Sequence, residues 1–205
     1  MTRVCRNFFV GDTVEIAHNL LGCYLVRIWN GEMLVCRITE TEAYVGSIDK
    51  ACHAYGYHKT ARNAVMFGPP GHAYIYLIYG MYHCLNFTTN VAGEPEAILL
   101  RGLAPVYGTE RMALLRYGKP LSELSTYQKK NFLNGPGKCC KALGLDRSLN
   151  GIDLFGDTLF ICQTLSDLGL PEEKINQTIH CGKRIGIDYA EEAVDFPWRF
   201  WTEKK

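Results

Sequence analysis

The segment Glu40-Thr41-Glu42-Ala43-Tyr44 places two carboxylates and an aromatic ring where an apolar strand is expected to end. Because side chains alternate between the two faces of a strand, Glu40, Glu42 and Tyr44 are expected on one face, about 6–7 Å apart. A carboxylate beside a flat ring suits general-base chemistry on a nucleobase or a sugar. Charged residues also protect solvent-exposed edge strands from aggregation, so the pentapeptide alone leaves both interpretations open.

The strand that carries this segment is predicted as the second arm of a hairpin. A capping-box pattern begins a helix predicted over 13–21. Residues 23–29 then have the pattern of a strand, Asn30-Gly31 is a favoured two-residue hairpin turn, and residues 32–44 form the returning strand. The two glutamates therefore lie at the far end of that hairpin.

The rest of the chain combines a long loop with further strands and helices. Residues 46–70 are rich in glycine and histidine without periodicity, which predicts a long functional loop. A second hairpin, joined around Tyr79-Gly80, precedes a strand, and we predict strands over 73–78, 81–89, 96–103, 158–164, 178–189 and 198–201. Helices are predicted over 109–117, over 121–130 and from Gly135-Pro136 to about Gly144. These elements indicate one mixed α+β domain spanning residues 1–205.

Composition narrows the class of protein. The 205 residues, 47% hydrophobic and 21% charged, are typical of a globular domain. The first residues have no signal-peptide pattern, and no stretch reaches the ~18 unbroken apolar residues of a membrane span, so we predict a cytoplasmic protein, nucleoid-associated if bacterial. The nine cysteines form no Cys-x-x-Cys pair, so we expect reduced thiols, no metal and no other cofactor.

The charge pattern is compatible with a nucleic-acid partner without requiring one. The net charge of +1 does not by itself indicate a nucleic-acid partner. However, Lys183-Arg184 form a basic pair, and a stretch without acidic residues contains Lys129, Lys130, Lys138 and Lys141. Such runs are also common on solvated faces. Tyr79 is predicted at an exposed hairpin tip, where a projecting ring can wedge between stacked bases. The neighbouring tyrosines of the hairpin, read alone, are better explained by sheet packing.

A series of motifs runs in a fixed order through nearly the whole chain. They are Glu40-Thr41-Glu42-Ala43-Tyr44, His53, Thr60-x-Arg62-Asn63, Met66-Phe67, Pro70-Gly71, Tyr74-x-Tyr76-x-Ile78-Tyr79-Gly80-Met81-Tyr82, Asn86, Leu99-Leu100-Arg101, Asn134-Gly135-Pro136-Gly137-Lys138, Arg184-Ile185-Gly186-Ile187 and Pro197-Trp198-Arg199-Phe200. With these spacings the sequence resembles the alkyladenine DNA glycosylase family, also called 3-methyladenine DNA glycosylases. The resemblance implies a compact α+β domain with a curved antiparallel β-sheet, flanking helices and a protruding β-hairpin.

The resemblance also implies a water-based mechanism. Glu42 corresponds to the general base that activates a water for attack on the sugar C1′ carbon. Arg101 corresponds to a group that helps to hold this water, and the main chain near Ile187 is a looser match. Cationic 3-methyladenine and 7-methylguanine leave readily, whereas neutral hypoxanthine and ethenoadenine need more help. No lysine occupies an obvious nucleophile position beside Glu42, so the enzyme is expected to be monofunctional.

Five further residues correspond to groups that bind the substrate. Tyr44, His53 and Tyr76 match the residues that sandwich a flipped base. Asn86 matches the residue whose bulk disfavours the exocyclic amino group of guanine, and Tyr79 matches the intercalating tyrosine. The implied partner is double-stranded DNA containing alkylated purines, bound by a monomer and away from membranes.

Two questions stay open on the residues alone. Glu40 is a candidate acid if it lies beside Glu42 in a partly dry pocket, and a structural residue if it pairs with an arginine; we favour the structural role. For the whole protein, the alternatives are a non-catalytic damage-recognition DNA-binding protein and a nucleoside hydrolase. The presence of Glu42 and Arg101 counts against the first, and the tip tyrosine counts against the second.

Overall fold

The described part of the protein, residues 3–172 and 178–203 of a computed structural model, is built around one antiparallel sheet. The predicted domain also includes residues 1–2, 173–177 and 204–205, which lie outside this description. The strands are β1 (Tyr24–Trp29), β2 (Glu32–Tyr44), β3 (Ala73–Ile78), β4 (Tyr82–Thr89), β5 (Glu96–Tyr107), β6 (Leu159–Cys162), β7 (Ile179–Gly182) and β8 (Arg199–Thr202). The sheet order is β3-β4-β5-β2-β1-β6, and β8 pairs with β2 and β7. This single α+β domain confirms the predicted fold class.

The helices are α1 (Thr13–Asn19), α2 (Thr109–Tyr117), α3 (Thr126–Lys130) and α4 (Pro136–Ala142). The first, second and fourth pack on the sheet, whereas α3 has no buried residue. Asp12 caps α1, because its carboxylate accepts the N–H groups of Val14 and Glu15. The long loop that follows β2 contains only short 3-10 turns, at Gly46–Ile48, Tyr55–Tyr57 and Ala64–Phe67. The predicted loop and first hairpin are therefore confirmed.

The strand predicted over 96–103 continues to Tyr107, and two other predicted elements are shorter than expected. The helix predicted over 121–130 is interrupted, because Leu124 is buried in extended backbone and the hydroxyl of Ser125 starts α3 by accepting the Gln128 N–H. The strand predicted over 178–189 ends at Gly182, because the next residues leave the sheet and cross the site described below. Local apolar spacing suggested longer elements than the packing allows.

The apolar core lies between the helices and one face of the central strands. Ala43, Ile98, Phe87 and Ala73 occupy one row across β2, β5, β4 and β3, and all are buried. Burial of each large apolar side chain stabilises the fold by about 1.5–3 kcal/mol. The next residue along each strand points to the opposite face. The core thereby fixes which face carries Glu42.

A paired irregularity between β2 and β5 interrupts this alternation. Ile38 pairs with Leu103 and Thr41 with Leu100, so two residues instead of one lie between successive core-facing positions on each strand. The extra residue on each strand makes a bulge in which Gly102 faces Glu40. A Cβ on Gly102 would lie 2.9 Å from the Glu40 Cβ, so glycine is required there.

Candidate active site

The register of the sheet brings the predicted site residues to one face. Glu42 pairs with Leu99, Leu99 with Asn86, and Asn86 with Tyr74, so one row of side chains crosses four strands. Directly opposed residues of antiparallel strands share a face. Tyr44 lies in the next row on this face. The alternation predicted from sequence therefore places Glu42 and Tyr44 together.

A cleft of about 820 Å³ opens on this face of the sheet. Its volume lies within the range of about 300–1,000 Å³ that is usual for ligand sites. Of the seven predicted site residues, six line the cleft: Tyr44, His53, Tyr76, Tyr79, Asn86 and Arg101. The seventh, Glu42, has a side chain that is 0% exposed and contacts three residues of the lining, Tyr44, Arg101 and Ile185. The structure thus brings all seven together.

The carboxylate of Glu42 has two hydrogen-bond donors and one ionic partner. The Tyr44 hydroxyl donates to Oε2 over 2.8 Å, and the Ile185 N–H donates to Oε1 over 2.8 Å. The Arg101 Nε lies 3.4 Å from Oε1. Burial raises the pKa of Glu42 above its ordinary value, while Arg101, the Ile185 amide and Tyr44 oppose that rise. A buried carboxylate with a raised pKa is a stronger base than an exposed glutamate.

Glu40 belongs to an ion network beside this base. Its Oε1 lies 3.2 Å from the Arg101 Nε and 3.0 Å from the Arg199 Nε. Arg101 therefore lies between two glutamates and neutralises both in part. Glu40 pairs with arginine, as we expected of a structural residue rather than a catalytic acid.

The aromatic walls of the cleft are tied together. The His53 ring meets the Tyr76 ring edge-on at a centroid distance of 4.6 Å, and its Nδ1 lies 2.9 Å from the Tyr74 hydroxyl. Burial and, to a lesser degree, the positive charge of Arg62 lower the pKa of His53 to about 4. The imidazole is therefore neutral at physiological pH. The Asn86 Nδ2 donates to the Tyr74 carbonyl over 3.0 Å, which fixes its amide at the cleft wall.

Tyr79 projects from the tip of the β3–β4 hairpin, as predicted. It is 81% exposed and has a φ of +52°, which is unusual for a bulky residue. The adjacent Gly80 also has a positive φ, of +68°, and Met81 is 67% exposed. The tight tip keeps two large apolar side chains in solvent at the mouth of the cleft, an arrangement suited to contact with a stacked surface.

Asn63 positions the loop that carries His53, a role that the sequence did not reveal. It is 1% exposed, and its Nδ2 donates to the carbonyls of His53 and His58, both over 2.8 Å. Its Oδ1 accepts the Thr60 N–H over 2.7 Å. Asn63 belongs to the Thr60-x-Arg62-Asn63 motif, which by itself indicates no function for this residue. That motif was the available signal.

A second missed contact is the Ile185 amide, which donates to Glu42. The sequence prediction pointed to main chain near Ile187, which is buried and lines the same cleft. A backbone donor leaves no side-chain signal. Only the path of the chain after β7 decides which amide reaches the carboxylate.

The basic residues divide into two groups. Lys138 and Lys141 of α4 line the cleft, and Lys129 and Lys130 of α3 are exposed. The sequence suggested that Lys183-Arg184 form a basic pair on the surface, and this interpretation is wrong. Arg184 is buried and paired with Asp49, and Lys183 pairs with Asp195. Asp195, which follows in sequence, therefore neutralises Lys183, whereas Asp49, which precedes the pair, neutralises Arg184.

Residues 3–172 and 178–203 contain neither a candidate metal cluster nor a candidate membrane span. No group of three or more His, Cys, Asp or Glu in this part of the chain could hold a metal ion. In the same residues, no helix has the length and apolar character needed to cross a membrane. The cysteines of these ranges are all free thiols.

The cleft combines aromatic walls with a buried carboxylate beside them, an arrangement suited to chemistry on a flat ligand. A family model described as methylpurine-DNA glycosylase matches residues 7–205. The chain is 50% identical over 202 residues to a protein of Clostridium tetani, covering 98% of this chain and 96% of that one. It is 47% identical over 198 residues to a protein of Alkaliphilus oremlandii, covering 97% and 94%.

A protein of Clostridioides difficile is 46% identical over 200 residues, covering 97% of this chain and 99% of that one. All three relatives carry the provisional name 3-methyladenine DNA glycosylase. The chain belongs to the methylpurine-DNA glycosylase family. It is therefore a DNA glycosylase, a hydrolase of DNA repair.

Proposed function

We propose that this protein removes 3-methyladenine and 7-methylguanine from duplex DNA by hydrolysing the N-glycosidic bond, leaving an abasic site. The observation that carries this proposal is the carboxylate of Glu42, fully buried under an aromatic cleft and hydrogen-bonded by Tyr44 and the Ile185 amide. The family match and the names of the relatives support the same substrate class. Hypoxanthine and ethenoadenine are secondary candidate substrates.

The proposed reaction needs one base and one water. The water oxygen forms a bond to C1′ as the bond from C1′ to the base nitrogen breaks, and the water proton passes to Glu42. The negative carboxylate also stabilises the positive charge that develops on the sugar. Arg101, 3.4 Å from the Glu42 Oε1, is placed to orient the water. Because the proposed reaction uses water and no lysine nucleophile, the enzyme is monofunctional.

A cationic purine suits the walls of this cleft. The faces of Tyr44 and Tyr76 are electron-rich and attract a positively charged ring. His53 has a pKa of about 4, so the neutral imidazole does not repel the cation. Asn86, fixed by its bond to the Tyr74 carbonyl, is placed to disfavour the exocyclic amino group of normal guanine.

Extraction of the base from the duplex is assigned to the hairpin tip. Tyr79 is exposed at the mouth of the cleft, where its ring can fill the gap left by the flipped nucleotide. Lys138 and Lys141 line the same cleft and are placed near the phosphates. A single domain presents the whole arrangement, so we propose that a monomer acts on DNA.

The direct test is release of 3-methyladenine from alkylated duplex DNA by the purified, folded protein, measured by chromatography of the freed base. We expect release of the base and an intact strand until alkaline treatment. Affinity for lesion duplex should fall steeply with salt, because phosphate contacts release counterions. Absence of base release would reject the proposal, binding without release would indicate a damage-recognition protein, and cleavage of free nucleosides alone would indicate a nucleoside hydrolase.

A further inference from the structure

Arg184 is a buried residue outside the cleft lining that joins three segments of the chain. Its Nη1 donates to the Ala43 carbonyl over 2.8 Å, and its Nη2 donates to the Ala193 carbonyl over 3.2 Å. Both terminal nitrogens also donate to the carboxylate of Asp49. The side chains of Arg184 and Asp49 are both 0% exposed. The guanidinium therefore connects the end of β2, the loop after it and the turn at Glu191–Asp195.

This arrangement is costly if stability is its only purpose. A buried ion pair loses the hydration of both charges, and well-packed apolar residues often stabilise a fold equally well or better. The Nε of Arg184 is also buried without a hydrogen-bond partner in the described structure. The location of the pair beside the base suggests a different role.

Arg184 supports both non-ionic donors to Glu42. Its guanidinium lies 4.7 Å from the centroid of the Tyr44 ring, whose hydroxyl donates to the Glu42 Oε2. The residue that follows it, Ile185, donates its N–H to the Glu42 Oε1. The Ala43 carbonyl, which Arg184 binds, lies between Glu42 and Tyr44 in sequence. One planar group thus fixes the backbone, the ring and the amide around the base.

We propose that Arg184, held by Asp49, is a positioning residue that aligns the Tyr44 hydroxyl and the Ile185 amide on the catalytic carboxylate of Glu42. This inference rests on the proposed function of Glu42 as the base. It requires arginine in particular, because a lysine ammonium cannot donate in parallel to a carboxylate and to two separated carbonyls. Neither Arg184 nor Asp49 contacts the substrate position directly.

The positions of the charged and titratable groups around Glu42 make it possible to distinguish a positioning role of Arg184 from a general effect on protein stability. Arg101 faces Glu42 from β5, Tyr44 and Glu40 from β2, Cys84 from β4, and Arg199 from β8 through Glu40. Arg101 is held by Glu40 and does not depend on Arg184. Loss of Arg184 should therefore free the Tyr44 hydroxyl and the Ile185 amide but leave Arg101 in place. Because both groups favour the ionised form of Glu42, their displacement raises the pKa of Glu42 further.

The test compares Arg184→Lys and Asp49→Asn with Arg27→Lys as the matched control. Arg27 is also a buried arginine, but its hydrogen bond goes to the Thr158 carbonyl, away from the cleft. Single-turnover excision of 3-methyladenine at saturating enzyme is measured across pH, with circular dichroism to confirm folding. We expect a rate loss of up to about 10²-fold from the misplaced base, and a shift of the acid limb to higher pH. Arg27→Lys should change neither.

The outcomes separate this inference from the proposed function. A wild-type protein that releases no 3-methyladenine defeats the proposed function itself. An active wild type with folded variants of unchanged rate and unchanged acid limb overturns the role of Arg184. A rate loss without movement of the acid limb also overturns it, since a general structural defect explains that result. If Arg184→Lys does not fold, Asp49→Asn carries the test, and failure of both to fold assigns the pair to the fold and refutes the inference.

Discussion

Replacement of Glu42 by glutamine is expected to abolish excision and at the same time to stabilise the protein. The carboxylate is 0% exposed, and burial is the largest influence on its pKa, which lies above the ordinary value. The charged form is therefore disfavoured in the folded state relative to the unfolded state. A neutral side chain of the same shape removes that penalty.

The hydrogen-bond geometry permits the substitution. The glutamine oxygen can accept from the Ile185 amide and Arg101, while its NH₂ group donates to the Tyr44 hydroxyl, which reverses its role. Arg101 keeps Glu40 as its ionic partner at 3.2 Å, so no buried charge is left alone. Such replacements at active sites commonly stabilise by about 1 kcal/mol, or about 2–4 °C in melting temperature for a chain of this length.

The pH dependence of this gain has a defined sign. A carboxyl group with a raised folded-state pKa gives the wild type its full stability below the unfolded pKa, and that stability is lost as pH rises through the folded value. The melting temperatures of Glu42→Gln and wild type should therefore converge below about pH 4, where Glu42 becomes neutral in both the folded and the unfolded state, and separate at neutral pH. Thermal denaturation at both pH values, with single-turnover excision of 3-methyladenine, measures the two effects.

Either of two results would refute this reasoning. A variant that is less stable than wild type at neutral pH would show that the two hydrogen bonds and the ion pair with Arg101 make the ionised carboxylate net favourable. An unchanged single-turnover rate would remove Glu42 from the role of base. Lesion binding by the folded variant serves as the control, because the aromatic walls are unaltered and should still hold the base.

Three further substitutions test the site and the sheet beneath it. Tyr44→Phe removes the 2.8 Å hydrogen bond to Glu42 but keeps the aromatic ring. We therefore expect the acid limb of the pH–rate profile to move to higher pH, while the affinity for lesion DNA is nearly retained. An acid limb that does not move would show that the hydroxyl does not support the base. Tyr79→Ser removes the 81% exposed ring at the hairpin tip and should weaken the affinity for lesion duplex by about 1–3 kcal/mol. Fluorescence anisotropy measures this affinity, and thermal stability should be unchanged. Equal affinity of the variant and the wild type would count against intercalation. Gly102→Ala places a Cβ 2.9 Å from the Glu40 Cβ and should destabilise the fold by about 1–3 kcal/mol in urea denaturation; an unchanged midpoint would show that the bulge can relax.

Much of the first hairpin was predictable because its signals are local. The Asn30-Gly31 turn and the alternation of apolar residues gave the second strand the bounds 32–44, and β2 is Glu32–Tyr44. The interruption near Ser125 was less visible, because it depends on the burial of Leu124 by distant residues. The bulge opposite Glu40 was not predictable, since it arises from the pairing of two strands about sixty residues apart in sequence.

The candidate site shows the same division. Side-chain types and their spacing indicated Glu42, Tyr44 and Tyr79. The resemblance to the family implied the other four residues, which are Arg101, His53, Tyr76 and Asn86. The Ile185 amide and the burial of Arg184 left no signal of either kind. Arg184 even suggested an exposed basic pair with Lys183, which the ion pair with Asp49 contradicts.

The sequence by itself determined the face of β2 that carries Glu42 and Tyr44, since strand geometry alone separates odd from even positions. It also indicated the family through motifs whose order is independent of folding. Only the tertiary structure decided that Glu42 is fully buried, that Arg101 is shared with Glu40, and that a backbone amide from the segment after β7 reaches the carboxylate. These properties depend on distances between segments far apart in the chain, and only the packed core sets those distances.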